Sequence, residues 1–114
     1  SPYIKEAVVI GDRRKYLTAL IQVDEENVGY WMQKNGIPYT TFKDMSQNER
    51  VKQLIGEEIR RVNDTLSSVE TIKKFRLLEK ELDQDDEELT ATQKVKRQTI
   101  ERKYKNLIES MYAE

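Results

Sequence analysis

The helical spacing of Val51, Leu54, Ile55, Ile59, Val62 and Leu66 constrains the fold of this chain more than any other feature, because it aligns these apolar side chains along one stripe. Ser46-Gln47-Asn48-Glu49, just ahead of it, has the Ser-x-x-Glu form of a capping box and predicts where the helix starts. Gly56 costs about 1 kcal/mol relative to alanine without breaking the pattern. A helix this one-sided must lay its stripe against another layer, and the flanking sequence supplies strands for one.

Two strand-like runs come first. Ile4 to Ile10 is centred on Ala7-Val8-Val9-Ile10, and Leu17 to Val23 alternates Leu17, Ala19 and Ile21 with Thr18, Leu20 and Gln22. Gly11-Asp12-Arg13-Arg14-Lys15 joins them as an ionic hairpin connection. Asp24 then caps a short helix carrying Val28, Trp31 and Met32, which Asn35-Gly36 and Pro38 end. Residues 36–45 read as loop. A third strand is expected over Ile72 to Leu78, followed by a solvated acidic loop, Asp83-Gln84-Asp85-Asp86-Glu87-Glu88. A final helix carries Ile100, Tyr104, Leu107, Ile108 and Met111 on one face, with Glu101 and Lys105 as an i, i+4 pair. The order β-β-α-α-β-α predicts an α+β fold, a small three-stranded sheet flanked by helices, within one domain spanning residues 1–114.

Composition removes several function classes. Lysine and arginine number 20 against 21 acidic residues, so the net charge of −1 argues against a dedicated nucleic-acid binder. Without cysteine or histidine the chain has no thiolate nucleophile, no disulfide, and neither the commonest metal ligand nor the commonest general base. The four glycines are scattered and form no phosphate-cradling loop. The acidic run lacks the order of a calcium-binding loop, so no metal site is expected. No apolar run approaches the roughly 20 residues that cross a bilayer, and no signal-peptide pattern is present, which predicts a soluble cytoplasmic domain. The chain enters a strand almost at once after Ser1-Pro2-Tyr3 and has no initiator methionine, which predicts a piece of a longer protein.

The stretch closest to chemistry is Glu88-Leu89-Thr90-Ala91-Thr92-Gln93-Lys94-Val95-Lys96-Arg97, a polar loop that delivers Lys94 ahead of the last helix. A flexible ammonium there acts as a point charge for phosphate or carboxylate, with the hydroxyls of Thr90 and Thr92 beside it and Lys96 and Arg97 as further cations. The same spacing also fits a surface lysine in water. Arg13-Arg14-Lys15 fits a phosphate contact or a charged hairpin tip, and Tyr30, Trp31 and Met32 fit a partner-facing patch or core packing.

Phe75-Arg76-Leu77-Leu78, the acidic loop, the segment from Glu88 to Arg97 and then Tyr104 resemble the C-terminal end of AMP-forming acyl-CoA synthetases, in particular bacterial long-chain fatty-acid–CoA ligases. The opening Ser1-Pro2-Tyr3-Ile4-Lys5-Glu6-Ala7-Val8-Val9-Ile10-Gly11-Asp12 and Tyr16-Leu17-Thr18-Ala19-Leu20-Ile21 look like the same domain's first hairpin. The resemblance implies the small α+β lid of an adenylate-forming enzyme, whose large N-terminal domain, absent from this sequence, binds ATP and the acyl substrate. The lid rotates between adenylation of a fatty acid and transfer of the acyl group to coenzyme A. ATP with magnesium, coenzyme A and a long-chain fatty acid are then substrates of the complete enzyme; this domain alone is expected to bind none of them and to turn nothing over.

The family's catalytic lysine, in a Gly-Lys-hydrophobic-x-Arg segment, falls on Lys94, which the resemblance casts as the residue that orients carboxylate and α-phosphate in adenylation. Thr90 and Thr92 become candidates for contact with the nucleotide, and Arg97 the structural support of the motif. Acetylation at this lysine regulates some relatives. Two departures stand out: Gln93 occupies a position where many relatives have glycine, and Ala91 one where Thr-Pro-Thr is common. The family's hinge segment would lie upstream of Ser1. A fatty substrate is compatible with peripheral contact between the complete enzyme and the inner face of a membrane. Alternative assignments are the lid of an enzyme for aryl or medium-chain acids, the lid of one that loads a carrier protein, and a free-standing interaction module.

Overall fold

A computed structural model describes residues 1–113. Two strands, β1 (Ile4–Ile10) and β2 (Leu17–Val23), pair antiparallel, and a third, β3 (Ile72–Leu77), joins β2 in parallel, giving the order β1-β2-β3. The α+β class and three-stranded sheet are as expected. The central position of β2 is legible in its composition only afterwards: every residue from Thr18 to Val23 is buried, so both faces are covered. Ala19, Ile21 and Val23 face one apolar cluster and Leu20 the other. Each of the larger side chains among them, Leu20, Ile21 and Val23, contributes about 1.5–3 kcal/mol.

The first cluster is closed by α1 (Glu25–Lys34), α2 (Phe42–Gln47) and α3 (Glu49–Asn63), through Val28, Met32, Met45, Val51, Ile55 and Ile59. Asp24 caps α1 by accepting from the Asn27 N–H at 3.0 Å, and Gly36 leaves the helix at φ 68°. Asn63 staples the end of α3 to the start of β3, its Nδ2 donating to the Ile72 carbonyl and its Oδ1 accepting from the Ile72 N–H, both at 2.9 Å. That pair of hydrogen bonds sets the entry of the parallel strand. The second cluster, on the opposite face, is closed by α4 (Arg97–Lys103) and α5 (Lys105–Ser110) through Ile100, Ile108 and Met111.

Several local expectations are corrected. The cap of α3 is Asn48, not Ser46: Asn48 is extended at φ −72°, ψ 129°, and its Oδ1 accepts from the N–H groups of Arg50 and Val51 at 2.9 and 3.3 Å. Ser46 belongs to α2, a helix inside the stretch read as loop, where Thr41 accepts from the Asp44 N–H and Asp44 accepts from the Thr40 N–H, both at 3.0 Å. Val62 and Leu66 do not join the core; they are 47% and 38% exposed, Val62 in the last turn of α3 and Leu66 beyond its end at Asn63. The last helix is broken at Tyr104, which takes φ −106°, ψ 24°. Glu101 accordingly pairs with Arg97 at 3.6 Å rather than with Lys105, across the break. Trp31 packs partly buried on the first cluster and Met32 is fully inside it, while Tyr30 stays exposed beneath the Lys34 ammonium.

Candidate functional site

Residues 88–96 form a small hairpin of their own rather than an open loop. The Lys96 N–H donates to the Glu88 carbonyl at 2.9 Å, the Thr90 N–H to the Lys94 carbonyl at 2.8 Å, and Leu89 bridges Val95 antiparallel. Leu89 and Val95 pack on the second core cluster, so one side of the hairpin is seated and the other faces water. The tip turns where the Gln93 N–H donates to the Thr90 carbonyl at 2.9 Å, and Gln93 itself lies at φ 66°. A turn followed by a left-handed residue is the usual build of a three-residue hairpin loop, with glycine favoured at the left-handed position. Gln93 occupies that position here.

Lys94 follows this turn. It is exposed, and its ammonium belongs to none of the ion pairs among the described residues, in contrast to those of Lys80 and Lys103. Its N–H donates to Thr90 Oγ1 at 3.0 Å, and Thr90 Oγ1 lies 3.1 Å from Thr92 Oγ1. The two threonines therefore brace the turn and each other, with Thr92 Oγ1 still free to donate or accept outward. Arg97 starts α4 and donates from Nη1 to the Val9 carbonyl at 2.6 Å, tying the helix to β1. Lys96, in the N-cap position of α4, makes no side-chain cap bond. Neither the groove of about 650 Å³ lined by Arg76, Lys80 and Tyr104 nor the one of about 500 Å³ between Gly11, Arg14, Arg97 and Lys105 includes Lys94. The lysine is exposed and lines neither groove.

Glu88 overturns the reading of residues 83–88 as uniformly solvated. Residues 83–87 are exposed, but Glu88 is fully buried. Its Oε1 accepts from Lys80 Nζ and from the Asp83 N–H at 3.0 Å, and its Oε2 from Lys103 Nζ at 3.0 Å and the Tyr104 hydroxyl at 2.9 Å. Burial works to raise its pKa, yet the bonds from Lys80, Lys103, Tyr104 and the Asp83 backbone outweigh it and hold the carboxyl below the usual range. Burial and the bond to Glu88 push the Tyr104 hydroxyl up to about 12. The partners stand 8, 15 and 16 residues away from Glu88, well beyond the three- and four-residue separations at which side chains of one helix meet. Among the described residues no cluster suits a metal ion. Arg14, at the hairpin tip, is likewise engaged structurally, donating to both carboxylate oxygens of Glu109 at 2.8 and 3.0 Å and lying over the Tyr112 ring.

The family model described as the AMP-binding enzyme C-terminal domain matches residues 1–114. The chain belongs to this family. Among curated relatives, this AMP-binding enzyme C-terminal domain is 34% identical over 112 residues to the long-chain-fatty-acid–CoA ligase FadD15 of Mycobacterium tuberculosis, covering 97% of this chain and 19% of that protein. It is 35% identical over 130 aligned residues to the human long-chain-fatty-acid–CoA ligase ACSBG1, covering 99% and 18%. The domain thus spans about a fifth of the length of these relatives.

Solved structures share the fold. The adenylation domain of a carboxylate reductase from Mycobacterium chelonae superposes at a TM-score of 0.75 with 20% identity, covering 100% of this chain and 16% of that one. The A-PCP didomain of the carboxylic acid reductase from Segniliparus rugosus, in complex with AMP, gives 0.72 with 22% identity, covering 98% and 14%. The chain is the C-terminal domain of an adenylate-forming enzyme with fatty-acid–CoA ligase homologues. No helix among the described residues is long and apolar enough to cross a membrane.

Proposed function

We propose that this domain is the rotating lid of an AMP-forming long-chain fatty-acid–CoA ligase and that Lys94 is its adenylation lysine. The observation that carries the reading is an exposed lysine, outside every ion pair among the described residues, on a doubly hydrogen-bonded hairpin in a chain 34% identical to a long-chain ligase. In the first step a fatty carboxylate oxygen attacks the α-phosphorus of ATP, which enters with magnesium, and the bond to pyrophosphate breaks. Lys94 holds carboxylate and α-phosphate together and offsets the charge that builds on the phosphoryl oxygens. Thr92, and less directly Thr90, offer hydroxyls to the same nucleotide. In the second step the thiol sulfur of coenzyme A attacks the acyl carbon, AMP leaves and the thiol proton is released. Lid rotation removes Lys94 before that step. The N-terminal domain of the complete enzyme supplies the rest of the pocket, and the enzyme works in the cytoplasm, with peripheral contact to the inner membrane face where it collects its fatty acid.

The test is fatty-acid-dependent ATP–pyrophosphate exchange by the complete enzyme, wild type beside Lys94→Ala, with thioester formation started from purified acyl-AMP on the same samples. Exchange is expected to fall about 10²- to 10³-fold while thioester formation persists. Equal loss of both steps would refute the role of Lys94. Transfer to a carrier protein instead of free coenzyme A would reassign the acceptor. Coenzyme A is favoured because the CoA ligases are 34–35% identical to this chain and the carboxylate reductases 20–22%.

A further inference from the structure

We infer that Glu88 is a positioning residue for Lys94, an inference that rests on the adenylation reading above. Glu88 is gripped from every polar atom it has. Each carboxylate oxygen receives two donors, the Glu88 N–H donates to the Asp83 carbonyl at 3.0 Å, and the Glu88 carbonyl accepts from Lys96, two residues past Lys94. The three side-chain donors are Lys80 just after β3, Lys103 at the end of α4, and Tyr104 at the break before α5, and the fourth donor is the Asp83 N–H. One buried carboxylate therefore fixes the base of the Lys94 hairpin to the segment that follows β3 and to the junction of the two helices on that face.

The hairpin needs such an anchor. Glu87 and Gln93 sit at φ 61° and 66°, one immediately before Glu88 and one immediately before Lys94. Non-glycine residues hold left-handed conformations only where the surroundings over-determine them. Stability alone does not account for the network, since well-packed apolar groups commonly replace a buried ion pair without loss. What an apolar replacement lacks is direction: four donors converging on two oxygens admit one orientation of the Glu88 backbone, and so one register for the hairpin. Displacement of a catalytic group by about 1 Å is enough to cost on the order of 10²-fold in rate.

The experiment uses the complete enzyme carrying Glu88→Gln, Lys103→Met or Lys94→Ala, with both half-reactions measured well below each variant's melting temperature. Glu88→Gln is expected to lower the adenylation kcat about 10- to 100-fold, with the KM for ATP and the rate of thioester formation from acyl-AMP within about 2-fold of wild type. Amide hydrogen exchange over residues 89–96 should speed up in the same variant. If Glu88→Gln does not fold, Lys103→Met, which removes one donor of four, carries the test, with the same split at about 3- to 10-fold. Unchanged adenylation, or equal loss in both half-reactions, overturns the inference. Adenylation that survives Lys94→Ala overturns the Lys94 reading itself and this inference with it, so the two failures are told apart by which variant is silent.

Discussion

Thr90 and Lys94 bond each other twice across the hairpin turn: the Thr90 N–H donates to the Lys94 carbonyl at 2.8 Å, and the Lys94 N–H donates to Thr90 Oγ1 at 3.0 Å. The second bond depends on a hydroxyl, so it separates threonine from its isosteres. Thr90→Val keeps the branched shape and removes the acceptor, at a cost of about 0.5–1 kcal/mol in so exposed a loop. Thr90→Ser keeps the acceptor. In ATP–pyrophosphate exchange by the complete enzyme, Thr90→Val should lose several-fold and Thr90→Ser should stay near wild type. Equal activity of the two variants would show that the bond does not hold the lysine.

Gln93 gives a second prediction, from backbone strain. A side chain at φ 66° costs about 1–2 kcal/mol relative to the right-handed region. Glycine escapes that cost but gives back part of it through its greater freedom in the unfolded chain. Gln93→Gly should therefore stabilise this chain by about 0.5 kcal/mol in urea unfolding, whereas the β-branched Gln93→Val should destabilise it by about 1 kcal/mol or more. A destabilised glycine variant would mean that the glutamine side chain contributes more than its strain costs.

The division between what the sequence reveals and what it hides follows interaction range. Strand limits at Ile4–Ile10 and Leu17–Val23 and the Asp24 cap are set by period-two patterning and by bonds three residues apart, and all were legible. Ser46 offers a rival cap two residues before Asn48, and only the extended backbone of Asn48 decides between them. In the motif, Lys94 was marked as a candidate by its family pattern and its charge. Glu88 was not, because it ended a run of acids that are indeed solvated and its partners lie up to 16 residues off. The break at Tyr104 was hidden for the same reason: it falls at the residue whose hydroxyl is held by that carboxylate.

Gly56 offers a test of the α3 packing. A Cβ added there would meet the Phe75 ring at 3.7 Å, an ordinary contact, while one added at Gly29 would come within 2.8 Å of the Tyr39 hydroxyl. Gly56→Ala should stabilise the chain by about 0.5–1 kcal/mol through helix propensity, read as a higher Tm. Gly29→Ala, also inside a helix, should gain less or lose, because Tyr39 must move. A gain at Gly29 as large as at Gly56 would contradict the close approach of Tyr39 to α1.

The Glu88 network sets the pH dependence of stability. The carboxyl titrates below its ordinary value of 4.5 in the folded chain, so its contribution is fully present above that pH and is lost as pH falls through the lower folded value. Tyr104 runs the other way: its pKa rises from 10.0 to about 12 on folding, so its contribution is complete below pH 10 and disappears as pH climbs through about 12. Between these limits Glu88→Gln should cost about 2 kcal/mol, the worth of bonds to a buried charged group. In urea unfolding across pH, the gap between wild type and Glu88→Gln should be flat near neutrality and close steadily on acidification below about 4.5. Tyr104→Phe should leave the acid limb in place, since Lys80, Lys103 and the Asp83 N–H still hold the carboxylate, and should remove the alkaline loss that tracks the phenol. A gap between wild type and Glu88→Gln that widens on acidification would mean that burial, not the four donors, sets the titration of Glu88.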